Sequence, residues 1–283
     1  MSTHFDQIDY YFNELDRQDP VYQPGQFWKV ALADIAKSFT KTGVGSFREE
    51  PINLNFFVPT YGPPGNGFGK DLINPILEIL DLGATEKQKQ HAKLCFDGSM
   101  QALADYRTFI ASNSKTDNFH LLNFSESSVG RPKEHFKFRG NYFSRSSLNY
   151  LLGLSYLKQI APDFVPRKVL EIGGGFGTLG EIIFKSNITD FKYIDLDLPP
   201  MFLIAQEYLK SSIKKNEFFF IDYFNEPEEL DVENLPQISC LPNWYIKRLR
   251  GKIDLFVNFI SFQEMEPEIV ENYVNQVLQL KPR

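Results

Sequence analysis

Up to about residue 165, apolar positions recur mostly every three or four residues. Beyond Pro166 they gather into short runs separated by amphipathic stretches. Phe27, Val30, Ala31, Ile35 and Phe39 predict a helix over Gln26 to Thr42 that stops at Gly43. Gly43 to Lys70, dense in Gly and Pro around Tyr61-Gly-Pro-Pro-Gly-Asn-Gly, reads as loop. Helical spacing resumes at Asp71 to Leu82. It returns from Glu86 to about Asn113, behind Thr85 as N-cap and with Gly98 as an interruption. After a mixed aromatic tract, Ser146 and Ser147 cap a pattern running to Gln159, with a stripe of Leu148, Leu151, Leu152, Ser155 and Tyr156.

Past Pro166 the alternation of strand-like and helix-like segments predicts an α/β fold with a parallel sheet and crossover helices. Strands are expected at Lys168 to Ile172, Phe191 to Leu196, Glu217 to Asp222 and Ile253 to Ile260. Helices are expected at Thr178 to Lys185, Pro200 to Lys215 and Pro267 to Leu280. The chain therefore divides into a mainly helical region, 1–165, and a Rossmann-like domain, 166–283.

Composition narrows the partners. With 36 acidic against 30 basic residues, a net charge of −6 disfavours a general electrostatic grip on nucleic acid or an anionic membrane. Two cysteines, Cys95 and Cys240, cannot build a disulfide framework and suit a reducing compartment. Met1 to Asp19 lacks a signal-peptide layout, and no run approaches the roughly 20 apolar residues of a membrane span, so a cytoplasmic location is expected. The 27 Phe and 13 Tyr promise large buried area, and the rings upstream of residue 166 could also stack on a sugar.

The candidate chemistry centres on Val169-Leu-Glu-Ile-Gly-Gly-Gly-Phe-Gly-Thr-Leu-Gly180, where a strand enters a glycine cluster and then a helix. Two templates fit. Gly175-x-Gly177-x-x-Gly180, with Asp195 beyond it, matches a dinucleotide fingerprint. Glu171-x-Gly173-x-Gly175-x-Gly177 matches the first motif of S-adenosylmethionine methyltransferases. A pyrophosphate would meet Glu171 at a Coulombic cost, whereas a cationic amino group and sulfonium would be attracted to it, which favours S-adenosylmethionine. Glu171, Gly173, Gly174, Gly175 and Gly177 are then candidate cofactor contacts. Asp195 and Asp197 end the second strand on one face, with Asp197 preferred for the ribose hydroxyls, and Asp222 is a candidate for the adenine amino group or a simple turn former.

These motifs resemble those of class I S-adenosylmethionine-dependent methyltransferases, and specifically the bacterial sugar O-methyltransferase family. The likeness rests on Val169 to Gly180, Asp195 to Pro200 with Leu203 to Leu209, and Phe256-Val-Asn-Phe-Ile-Ser-Phe-Gln-Glu-Met265. Ser128-Val-Gly-Arg-Pro132 and Gly140-Asn-Tyr-Phe-Ser144 upstream also look like that family. The resemblance implies methyl transfer to a sugar hydroxyl in polysaccharide or glycoconjugate assembly. It also implies a sheet ordered 3-2-1-4 whose C-terminal strands are missing from this sequence. The apolar fourth strand is then expected to be an exposed edge, open to self-association or to cover by another segment.

Methylating a hydroxyl calls for a base. Glu264, just past the fourth strand, is one candidate, with Ser261 and Gln263 beside it, and a helix cap is its ordinary alternative. His135, in the basic aromatic stretch Arg131 to Arg139, is the other, and Arg139, Tyr142 and Gln263 are candidate acceptor contacts. No metal-ligand spacing follows the fourth strand. An NAD-dependent oxidoreductase or epimerase and a catalytically inactive methyltransferase-like binding domain stand as alternatives.

Overall fold

A computed structural model describes residues 4–61, 70–113, 119–186, 188–213 and 227–282. The chain forms two compact units: residues 1–44 with 164–283, and residues 45–163. Residues 1–44 thus group with the sheet-bearing part of the chain.

In the first unit, among the described residues, four parallel strands form the sheet: β1 (Lys168–Ile172), β2 (Lys192–Asp197), β3 (Ile238–Pro242) and β4 (Leu255–Val257). Their spatial order is β3-β2-β1-β4. Val169, Leu170, Tyr193, Ile194 and Leu196 are fully buried, as strands covered on both faces demand. The segment Glu217 to Asp222, expected as a strand, lies outside the described residues, and the candidate adenine contact Asp222 lies there with it. Beside β2 stands Ile238-Ser-Cys-Leu-Pro242, which the hydropathy pattern does not mark. Its Ser239 interrupts the apolar run, and Pro242, lacking an N–H, is tolerated where a strand ends.

Helices α1 (His4–Asp16) and α2 (Leu32–Thr42) precede the sheet in sequence and pack in the same unit. The α1 residues Ile8, Tyr11 and Leu15 share one buried face, and the Tyr11 ring meets Phe202 edge-on at 4.8 Å. Gly43, at φ 58°, closes α2 as expected, while the helix expected from Gln26 breaks at Val30–Ala31. Three more helices lie along the sheet's sequence: α3 (Thr178–Lys185), α4 (Met201–Ser212) and α5 (Pro267–Gln279).

The fourth strand is shorter than its apolar sequence suggests. Asn258 turns inward to bond the end of β1, and Ile260 adopts φ 80°, ψ −48°, which ends the extended run. Among the described residues β4 pairs only with β1, and Leu255 and Phe256 are partly exposed. No helix among those residues is long and apolar enough to cross a membrane.

The second unit is helical with one small hairpin, Phe136–Phe138 paired with Asn141–Phe143. Thr85 caps Glu86–Phe96 with a full capping box, and Gly98, at φ 81°, separates that helix from Ser99–Asn113. The last helix, Arg145–Ile160, is capped by Ser144, two residues ahead of the expected caps Ser146 and Ser147, and Ser144 exchanges bonds with Ser147. Phe109, Phe124, Phe143 and Tyr106 form a buried ring cluster, while Tyr142 and Tyr156 are exposed.

Candidate active site

Strand β1 delivers the chain into Gly173–Gly177, where Gly173, Gly175 and Gly177 all have positive φ. Side chains are excluded here by contact as well as by conformation. A Cβ on Gly174 would stand 2.5 Å from Asp195 Oδ1 and 2.9 Å from Glu171 Oε2, and one on Gly173 would overlap Ser261. One turn on, a Cβ on Gly180 would lie 2.6 Å from the Tyr193 ring, so the glycines let α3 settle close to the sheet.

Parallel register places Glu171 beside Asp195, and alternation puts Tyr193 and Asp197 on that same face. Glu171 is fully buried and accepts the Tyr193 hydroxyl proton at 2.5 Å. The Gly174 N–H donates to Asp195 Oδ1 at 3.2 Å, leaving Oδ2 buried with no hydrogen-bond partner. The Gly175 N–H donates to Asp197 Oδ2 at 2.9 Å, and the Leu198 N–H donates to Oδ1 at 2.7 Å. The glycine loop thus folds over the ends of β1 and β2 by donating its amides to the acids there. Tyr193 is the participant that sequence reasoning missed; its two-residue offset from Asp195 was the available signal.

Crowding of carboxylates sets the electrostatics. Burial, then the charges of Asp197 and Glu171, hold Asp195 well above the usual carboxylate range against the Gly174 bond. Burial also pushes Asp197 up to about 7, with Glu264 adding to the rise and the two amide bonds opposing it.

Glu264 therefore stands near the same cluster. It lies in the turn Ser261–Glu264, half-buried, and burial raises its carboxyl, with Trp28 working against the rise. The residue at the N-cap of α5 is Glu266, so Glu264 is not that helix's cap. A latch fixes the turn: Asn258 Nδ2 and Ser261 Oγ both donate to the Ile172 carbonyl, at 2.9 and 3.0 Å. Ser261 is consumed in that latch, and Gln263 is exposed.

His135, Arg139 and Tyr142 fall in the second unit. Arg139 and Gly140 form the two-residue hairpin turn, both at positive φ, and Arg139 is exposed. Tyr142 is exposed and stacks on the His135 ring. His135 Nε2 is engaged 3.4 Å from Glu126 and 3.2 Å from Arg48. Arg48, fully buried, bridges Glu126 and Glu134, and Glu126 Oε2 accepts the Ser144 N–H at 2.8 Å. Burial alone would raise Glu126, but Arg48, His135 and Ser144 together hold it well below the ordinary range. Among the described residues no group of three or more His, Cys, Asp or Glu is arranged to hold a metal ion.

No protein-family model matches the chain, and no curated protein does. Among solved structures the chain is similar to that of the mitomycin 7-O-methyltransferase MmcR, at 15% identity and a TM-score of 0.27. The match covers 46% of this chain and spans 33% of that one, a likeness too slight to carry an inference about fold or reaction.

Proposed function

We propose that the protein is an S-adenosylmethionine-dependent O-methyltransferase acting on a sugar hydroxyl. The observation that carries this reading is the carboxylate cluster under the glycine loop: Glu171, Asp195 and Asp197 share one face, and Asp195 keeps a buried oxygen without a partner. Such a cluster is relieved by a cation with hydrogen-bond donors and worsened by an anion. An ammonium and ribose hydroxyls supply the former, and a dinucleotide's pyrophosphate the latter. S-adenosylmethionine would bring the activated methyl group.

In this reading Glu171 and Gly173–Gly177 surround the methionine end and Asp197 holds the ribose. Asp195, fully buried, backs the loop through Gly174. Asp222 keeps its proposed place near adenine on sequence grounds alone. Glu264 takes the acceptor proton. His135 is the weaker choice because its Nε2 is committed to the Arg48 and Glu126 network. The sugar acceptor, with Arg139, Tyr142 and Gln263 as contacts, rests on the family resemblance of the Ser128 to Pro132, Gly140 to Ser144 and Phe256 to Met265 segments.

Calorimetric titration of the full chain with S-adenosylhomocysteine and with NAD tests the cofactor; binding of NAD alone overturns the reading. Transfer of label from methyl-tritiated S-adenosylmethionine to a panel of monosaccharides and nucleotide sugars tests the acceptor. Binding of S-adenosylhomocysteine with no transfer across that panel supports an inactive binding domain instead.

A further inference from the structure

We propose that the helical hairpin of the second unit, Lys70–Gly83 followed by Glu86–Phe96, is the surface through which two copies of this chain associate. From residue 74 to 97 no residue is buried. Ile76, Ile79 and Leu82 recur every three residues along the first helix, and Ile79 is 68% exposed and Leu82 89%. Leu94 on the second helix is exposed as well. Exposed apolar residues scattered singly are ordinary; a row of them on helices that bury nothing is not. The two helices have 14 and 11 residues, a length that is marginal in water unless an apolar face is covered. The capping box at Thr85 supports only the second, and Pro75 removes an N–H from inside the first.

Charge selects the occupant. In sequence the first helix carries Asp71, Glu78 and Asp81 against Lys70, a net charge of −2, and the second carries Lys87, Lys89 and Lys93 against Glu86, a net charge of +2. Within one chain Lys89 spans the hairpin to Asp81 at 2.9 Å and also meets Glu86 at 3.3 Å. Among the described residues Glu78, Lys87 and Lys93 enter no ion pair. A two-fold interface sets the same patch against itself, so that a residue and its opposite number exchange places across the axis. Two hairpins paired in this way lay the acidic helix of each copy on the basic helix of the other, twice over, with the Ile76, Ile79 and Leu82 rows in the seam. A patch of one sign would repel its own copy, whereas a polyanion would be repelled by the first helix and a strongly basic partner by the second. The hairpin belongs to the second unit and β4 to the first, so this association does not draw on the edge strand, nor on the methyltransferase reading.

Sedimentation equilibrium of the full chain over a dilution series tests the association. A dimer that dissociates on dilution is expected, and a mass of one chain, 32.7 kDa, at every concentration overturns the inference. Ile79→Glu should weaken the dimer about tenfold or more, with the far-UV spectrum of the dilute chain unchanged, because the side chain it replaces is exposed. A dimer that Ile79→Glu leaves as tight as before uses another surface and overturns the inference. A pair of charge variants tests the arrangement without touching the apolar row. Glu78→Lys with Asp81→Lys gives two basic helices, and Lys87→Glu with Lys93→Glu gives two acidic ones, so each chain alone should be monomeric. Mixed in equal amounts, the two should form a dimer of one copy of each, since opposite signs then meet in both helix contacts. A mixture that associates no better than either chain alone overturns the pairing of acidic helix on basic helix.

Discussion

Asp197 carries the most at the scale of single residues. Its two oxygens accept the Gly175 and Leu198 amides, and burial lifts its carboxyl to about 7. The folded protein therefore retains this proton at pH values where the unfolded chain has lost it. Stability from this group falls as pH rises from about 4 toward 7 and is level above that. Asp197→Asn loses one of the two amide bonds at every pH, but its melting temperature relative to the unaltered protein is expected to be higher at pH 8 than at pH 5, read by scanning calorimetry. If Asp197 holds ribose, S-adenosylhomocysteine should bind more tightly as pH rises through 7. Asp197→Ala should weaken that binding by about 1–3 kcal/mol, and an unchanged affinity moves the ribose role to Asp195. Gly174→Ala should be severe for a different reason. Its methyl group would meet two buried carboxylates, so a loss of about 1–3 kcal/mol in stability and a loss of cofactor affinity are expected together. Motif spacing makes Glu171, the glycines, Asp195 and Asp197 legible from the sequence, because strand periodicity and the turn fix their places. Tyr193 is legible only as far as its two-residue offset from Asp195 puts it on the same face, and Arg48 is not legible at all, since a lone arginine has no spacing that announces an ion pair across elements.

Elements differ in how well local pattern foretells them. Lys168–Ile172 and Thr178–Lys185 stand where periodicity puts them, because each is a single apolar run or stripe bounded by glycine or a polar stop. The apolar run would carry the fourth strand to Ile260, yet the strand stops at Val257. Asn258 satisfies the Ile172 carbonyl, and the next turn forces Ile260 into φ 80°, ψ −48°, close to a strained γ-turn. A β-branched residue there costs energy that glycine would not. Ile260→Gly should therefore stabilise the chain by about 1 kcal/mol in a urea titration, even though it deletes a partly exposed side chain. The Arg48 node is the opposite case. Replacing Arg48 with Met leaves Glu126 and Glu134 buried without their shared counter-charge, and a loss of about 3–5 kcal/mol is expected in urea unfolding of the second unit.

For the whole molecule, the informative departure is the first 44 residues. Their sequence reads as the start of a helical region, and they pack instead with the sheet through Tyr11, Phe202 and Trp244, and through Asn243, whose side chain donates to the Tyr22 carbonyl at 2.8 Å. A chain beginning at residue 45 should bind a hydrophobic dye strongly and lose S-adenosylhomocysteine affinity; an unchanged dye response would show the sheet sufficient without them. By itself the sequence determined the parallel α/β rhythm, the glycine loop and its acids, since each arises from periodicity, turn chemistry and charge within a few dozen residues. Only the tertiary structure decided that Ile238–Pro242 lies beside β2, that His135 serves a buried ion network, and that Gln26 meets Glu266. Those pairings join residues far apart in sequence, and burial and hydrogen-bond satisfaction select them only once the elements are packed.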